Sequence, residues 1–100
     1  MLERDIERHL VKRVKELGGE VRKVQWVGHS GAPDRLVMLP ATEFLHPRTI
    51  WVELKNPGTV AHFPGSPHER AQHREHERMR AMGQRVEVIG TIEQVEELLK

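Results

Sequence analysis

Apolar residues recur at helical spacing at the start of the chain: Leu2, Ile6, Leu10, Val14 and Leu17 fall on one face. The spacing predicts an amphipathic helix over Leu2 to Leu17, stopped by Gly18-Gly19. Val21 to Val27 then reads as a first strand, imperfectly alternating, with Val21 and Val27 on one face and Val24 and Trp26 on the other. Gly28 to Pro33 is a turn. Two short apolar runs come next, Leu36 to Leu39 and Thr49 to Leu54, the first closed by Pro40 and the second by Asn56-Pro57-Gly58. Apolar runs bounded by breakers are expected to be buried strands. The link between them, Ala41 to Arg48, is longer than a tight hairpin and carries Phe44 and Leu45. These two are expected to cap the core.

The second half is punctuated as clearly. Asn56 to Pro67 is a loop rich in proline and glycine, directly after the second apolar run. Ser66 is placed to cap a helix, with Pro67 at its first position and Glu69 completing a capping box. That helix is expected to run to Met82 and stop at Gly83. Its apolar content is low, and Gln72, His76 and Met79 share a face, so it is expected to border a polar site rather than pack wholly in a core. Arg85 to Ile89 is the last strand. Thr91 caps a final helix with Gln94 at the capping-box position and Ile92, Val95, Leu98 and Leu99 as its apolar stripe. The order is helix, three strands, helix, strand, helix. The second helix serves as the crossover to a parallel fourth strand. These elements predict an α/β fold with a mixed sheet flanked by helices, as one domain over residues 1–100.

Composition adds limits. Hydrophobic residues make up 37% and charged residues 31%, which suits a folded domain rather than a disordered one. The core is modest at this length, and association with a second copy would add burial. Cysteine is absent, which removes a disulfide framework and a cysteine zinc site, and fits a reducing cytoplasm. No membrane partner is expected, because no apolar run approaches the roughly 20 residues a span requires, and the first residues lack a signal peptide's apolar stretch. Net charge is only +1, so any basic footprint for nucleic acid must be local.

Candidate chemistry sits at the ends of the two apolar runs. Asp34 precedes the first, and Glu53 and Lys55 close the second, with nineteen positions from Asp34 to Glu53. A pair of adjacent strands brings Asp34 close to Glu53. Glu53 and Lys55, two apart, share a face. Two carboxylates and an ammonium then converge on one spot. Charged groups there are costly unless paired or coordinated. Hard carboxylate oxygens suit Mg²⁺ or Mn²⁺, which keep waters and take phosphate oxygens as further ligands. A lysine beside them can orient or deprotonate an attacking water or stabilise developing charge.

Pro33-Asp34 followed by Glu53-Leu54-Lys55 resembles the PD-(D/E)xK nuclease motif. With Gly31-Ala32-Pro33-Asp34-Arg35 in front, and Gln72 and Gly83 placed later, nearly the whole chain resembles the VRR-NUC family of that superfamily. His29-Ser30 departs from it, where more basic residues are expected. The resemblance implies a restriction-endonuclease-like αβββαβ core and a metal-dependent DNA endonuclease. It implies Asp34, Glu53 and the Leu54 backbone carbonyl as ligands of Mg²⁺ or Mn²⁺, and Lys55 at the water with Gln72 supporting it. It also raises Glu7 as an outer contact through water, against the plain reading of a surface acid paired with Arg4 or Lys12. Small stand-alone members are associated with branched DNA such as four-way (Holliday) junctions. A homodimer in a bacterial or phage-infected cell is the expected setting. Phe44, Leu45, Leu98 and Leu99 are candidates for its interface.

Several residues keep two readings. Gly31 either lets DNA approach the backbone or only makes a turn. Arg35 goes to a phosphate, to an acid of the site, or to open surface. His62 contacts DNA or covers the core. Arg70 and Arg74 meet phosphates or belong to a mixed-charge helix surface. His68, His73 and His76 would serve a zinc structural site only with a further ligand; solvated helix histidines are the simpler account. The rival to catalysis is a silent DNA-binding or interaction module on the same fold, against which an intact Asp, Glu and Lys argue.

Overall fold

A computed structural model describes all residues, Met1 to Lys100. The elements are α1 (Glu3–Glu16), β1 (Glu20–Lys23), β2 (Arg35–Leu39), β3 (Arg48–Leu54), α2 (Pro67–Ala81), β4 (Val86–Ile89) and α3 (Ile92–Leu98), with one 3-10 turn at Val60–His62. The four strands lie in sequence order in a single sheet. β1–β2 and β2–β3 are antiparallel, and β3–β4 is parallel. α2 makes the crossover that a parallel pair requires. This is the αβββαβ architecture.

Alternation along β3 sorts the sheet into two faces. Ile50, Val52 and Leu54 are buried and join Val37 and Leu39 of β2 against Ile6, Leu10 and Val14 of α1 and Val95 and Leu98 of α3. Trp51 and Glu53 point to the opposite face, which α2 covers in part. The core holds no aromatic side chain. α1 buries only its middle turns, because Leu2 and Leu17 lie just outside its ends and are about half exposed.

Three expectations need correction. β1 ends at Lys23, not Val27. Val24 still donates its N–H to the Asp34 carbonyl, but no strand lies opposite residues 25–27, and Val27 stands in solvent. Phe44 and Leu45 do not cap the core: Phe44 is 87% exposed, on a turn whose backbone is tied to the Thr42 hydroxyl. Leu98 and Leu99 are buried inside this chain and are not free for an interface. The helix starts hold. The Ser66 hydroxyl accepts from the Glu69 N–H, and the Glu69 carboxylate accepts from the Gly65 and Ser66 N–H groups. Thr91 caps α3 by accepting from the Gln94 N–H, while the Gln94 side chain accepts from Gly90. No helix is long and apolar enough to cross a membrane.

Candidate active site

The β2–β3 register pairs Arg35 with Val52. Carried one residue further, it sets Asp34 directly opposite Glu53 on the α2 face. The Asp34 carboxylate accepts a 2.8 Å hydrogen bond from the Leu54 N–H, which fixes it to the end of β3. Glu53 is 1% exposed. Its oxygens accept from Gln72 Nε2 at 3.4 Å and meet His76 Nε2 at 3.3 Å. Burial, then the hydrogen-bonded and negatively charged Asp34 beside it, push the Glu53 carboxyl up from 4.5 to about 9. Glu53 therefore keeps its proton at neutral pH.

Lys55, two residues on, is held from three sides. Its Nζ donates to Gln72 Oε1 at 3.2 Å, pairs with Glu69 at 3.2 Å, and sits 5.1 Å from the centre of the Phe63 ring. Gln72 thus bridges Glu53 and Lys55 with its two amide ends. The Phe63 ring also stacks on His76, centroids 5.8 Å apart. Burial, with Arg80, His73 and Lys55 nearby, pulls His76 down to about 4, so the ring is neutral. Its Nδ1 is buried without a partner. An orphaned N–H is rarer and costlier than an orphaned lone pair, so the hydrogen belongs on Nε2, donating to Glu53. Neither Glu53 nor His76 is ionised here, and their contact is a hydrogen bond rather than an ion pair.

No protein-family model matches the chain. A phage protein, "Putative nuclease p44" of Acyrthosiphon pisum secondary endosymbiont phage 1, is 40% identical over 87 residues, which span 87% of this chain and 81% of that protein. A solved structure described as "VRR_NUC domain" is 39% identical, with a TM-score of 0.76 over 97% of this chain and 92% of its own. The chain belongs to the VRR-NUC family.

In this VRR-NUC domain, Asp34, Glu53, Lys55 and Gln72 come together as the sequence led us to expect. The first helix behaves differently. Glu7 pairs with Arg35 and does not turn to the two carboxyls. Arg35, on the core face of β2, goes to that acid and to the Asp34 carbonyl, not outward to a phosphate. The acid of α1 that feels the site is Glu3. Burial and the charge of Asp34 raise its pKa, and Lys55 acts on it in the other direction. Its N–H donates to Asn56 Oδ1 at 2.6 Å, tying the start of α1 to the residue after Lys55. Glu3 is in phase with Ile6, Leu10 and Val14, as Glu7 is with Leu10 and Val14, so spacing alone does not choose between them.

The other VRR-NUC candidates are dispersed. Gly31 has φ +91, and a Cβ there would lie 3.0 Å from the Glu75 Cβ, so the turn before Asp34 packs on α2. Close packing on protein, not an open backbone, is what requires glycine. His62 is exposed in the 3-10 turn, Arg70 is exposed and donates to the Gly65 carbonyl, and Arg74 is exposed on α2. His68, His73 and His76 do not form a group: no three His, Asp or Glu side chains gather as a metal cage.

Proposed function

We propose that this VRR-NUC domain is a metal-dependent DNA endonuclease that hydrolyses phosphodiester bonds. The observation that carries the reading is geometric: Asp34, fixed by the Leu54 N–H, stands opposite the buried Glu53 carboxyl, with Lys55 two residues on and Gln72 between Glu53 and Lys55. Such a pair fits a hard divalent cation, and Mg²⁺ commonly takes only one or two carboxylates plus waters and phosphate oxygens. Asp34, Glu53 and the Leu54 carbonyl would hold Mg²⁺ or Mn²⁺, with Glu3 rather than Glu7 as the outer acid. When bound, the cation neutralises charge on the scissile phosphate and makes a water easier to deprotonate.

The chain's own residues supply the rest. Gln72 fixes the separation of Glu53 and Lys55. Glu69 and Phe63 hold Lys55 Nζ toward the phosphate, where it orients the attacking water and stabilises the developing charge. His62, Arg70 and Arg74, exposed on the 3-10 turn and α2, are the proposed phosphate contacts. Lys55→Ala is expected to slow cleavage by a factor on the order of 10² or more. Mn²⁺ binding, measured by isothermal titration, should survive, because lysine is not a ligand; loss of metal binding would contradict the assigned role. A panel of labelled DNAs incubated with Mg²⁺, Mn²⁺ or EDTA tests the activity itself.

Branched DNA, four-way junctions in particular, is the proposed substrate, and a homodimer the proposed form. A junction has two-fold symmetry and needs two matched cuts, which two identical sites in a symmetric dimer can make. With Leu98 and Leu99 committed to the core, the exposed Phe44 and Leu45 remain as interface candidates. Light scattering should give about twice the 11.6 kDa chain mass. A monomer that cuts flaps and junction arms alike would remove the junction reading and leave the nuclease reading standing.

A further inference from the structure

The chain has four aromatic residues, two Trp and two Phe, and none lies in the hydrophobic core. Phe63 serves Lys55, and Phe44 stands in solvent. Trp26 and Trp51 form a pair of their own on the face that carries the candidate active site. Their rings meet edge to face with centroids 6.3 Å apart, and the exposed His29 ring lies 5.6 Å from Trp26. Both indoles are only partly buried. Trp51 is fixed by a 2.9 Å hydrogen bond from its Nε1 to Gln84. Trp26 comes from the segment between β1 and Asp34, whose next residue, Val27, is 99% exposed.

The position of this pair relative to the chemistry is set by the sheet. Arg22, Leu36 and Trp51 form one rung on the α2 face, and Val24, Asp34 and Glu53 fall in the next. Two residues along a strand is about 7 Å. The Trp51 rung, with Trp26 against it, therefore lies to one side of the two carboxyls at about two stacked nucleotides, bases in one strand being about 3.4 Å apart. The rim carries exposed basic groups. Arg22 lies on β1, and Arg74 and Arg78 on α2. Opposing charge is limited. Glu20 is paired with Arg22, and the buried Glu75 is taken up by His29 at 3.1 Å and by Arg78. With Arg22 and Arg78 taken up by these acids, Arg74 is the basic side chain left beside a π-surface placed where the bases of a strand would pass.

We propose that Trp26 and Trp51, with His29, form a stacking site for an unpaired DNA base next to the scissile phosphate. A fully paired duplex keeps its bases stacked inside and cannot use it. Forks and flaps offer unpaired bases, and a four-way junction offers them where its centre opens. This rests on the nuclease reading and narrows its substrate to DNA with single-stranded character at the cut. Base–aromatic stacking is tolerant of sequence, because every base has a π-face.

The two tryptophans are the only ones in the chain, so intrinsic fluorescence reports this site alone. In the Asp34→Asn protein, a short oligothymidylate is expected to quench it. The same oligomer carrying one abasic position, walked along its length, should bind about ten-fold more weakly at the position that reaches the site, the size of one base–aromatic contact. Trp26→Ala should erase the difference between intact and abasic oligomers. The abasic series uses the unaltered indole pair, so it decides the matter even if Trp26→Ala folds poorly. Equal binding of intact and abasic oligomers with unchanged fluorescence would overturn the stacking site and leave the nuclease standing. Failure to bind any DNA would overturn both.

Discussion

Asp34→Asn is expected to abolish metal-dependent cleavage while leaving the fold intact. The substitution keeps the shape of the side chain and leaves an acceptor oxygen able to receive the Leu54 N–H, now 2.8 Å from the carboxylate. It removes one of the two acidic charges that a divalent cation would need. Loss of turnover by several orders of magnitude should accompany a melting temperature near that of the parent, because the hydrogen bond from the Leu54 N–H is kept. Plasmid nicking in Mg²⁺ together with a thermal melt checks both halves. Full Mg²⁺-dependent activity in the variant would mean that the site lies elsewhere.

Glu53→Gln carries the second large effect, and its two parts run in opposite directions. In the fold the Glu53 carboxyl keeps its proton to about pH 9, whereas an ordinary glutamate ionises at 4.5. Between those values the native state binds more protons than the unfolded chain. Metal-free stability contributed by this group is therefore present at low pH and is lost as pH rises from about 5 toward 9. A buried amide carries no such penalty, and its single oxygen keeps one of the two contacts, to Gln72 or to His76. Glu53→Gln should accordingly be inactive, yet melt roughly 5 °C or more above the parent at pH 8 in EDTA, a shift that corresponds to about 1 kcal/mol in a domain of this size. Adding Mn²⁺ should raise the melting temperature of the parent and not that of the variant. A variant less stable than the parent in EDTA at pH 8 would contradict the protonated, cation-seeking state of Glu53.

Much of this was legible from spacing alone. The two apolar runs and the breakers around them define β2 and β3, and their antiparallel pairing is enough to bring Asp34 to Glu53. The start of α2 was equally clear, since Ser66, Pro67 and Glu69 each have a local reason to be there. What sequence could not give was which side chains the neighbouring layers leave covered. Leu2 and Leu17 continue the helical stripe but extend past the sheet that would bury them. Phe44 and Leu45 look like core residues by type, yet their turn projects from the end of the hairpin. Leu98 and Leu99 look free at the end of a chain and are covered by α1 and the sheet. Glu3 and Glu7, one turn apart, are equivalent in a linear reading. Only the position of Arg35 on the core face separates them, by occupying Glu7.

The capping box of α2 has a role beyond starting a helix. Glu69 receives the N–H groups of Gly65 and Ser66 and also grips Lys55. The first turn of a helix is where fraying begins, and opening there needs far less free energy than unfolding the domain. Each such opening takes away one of the three contacts that hold the lysine and leaves it to Gln72 and Phe63. Turnover should therefore begin to fall below the melting temperature, as that first turn frays while the hydrophobic core is still intact.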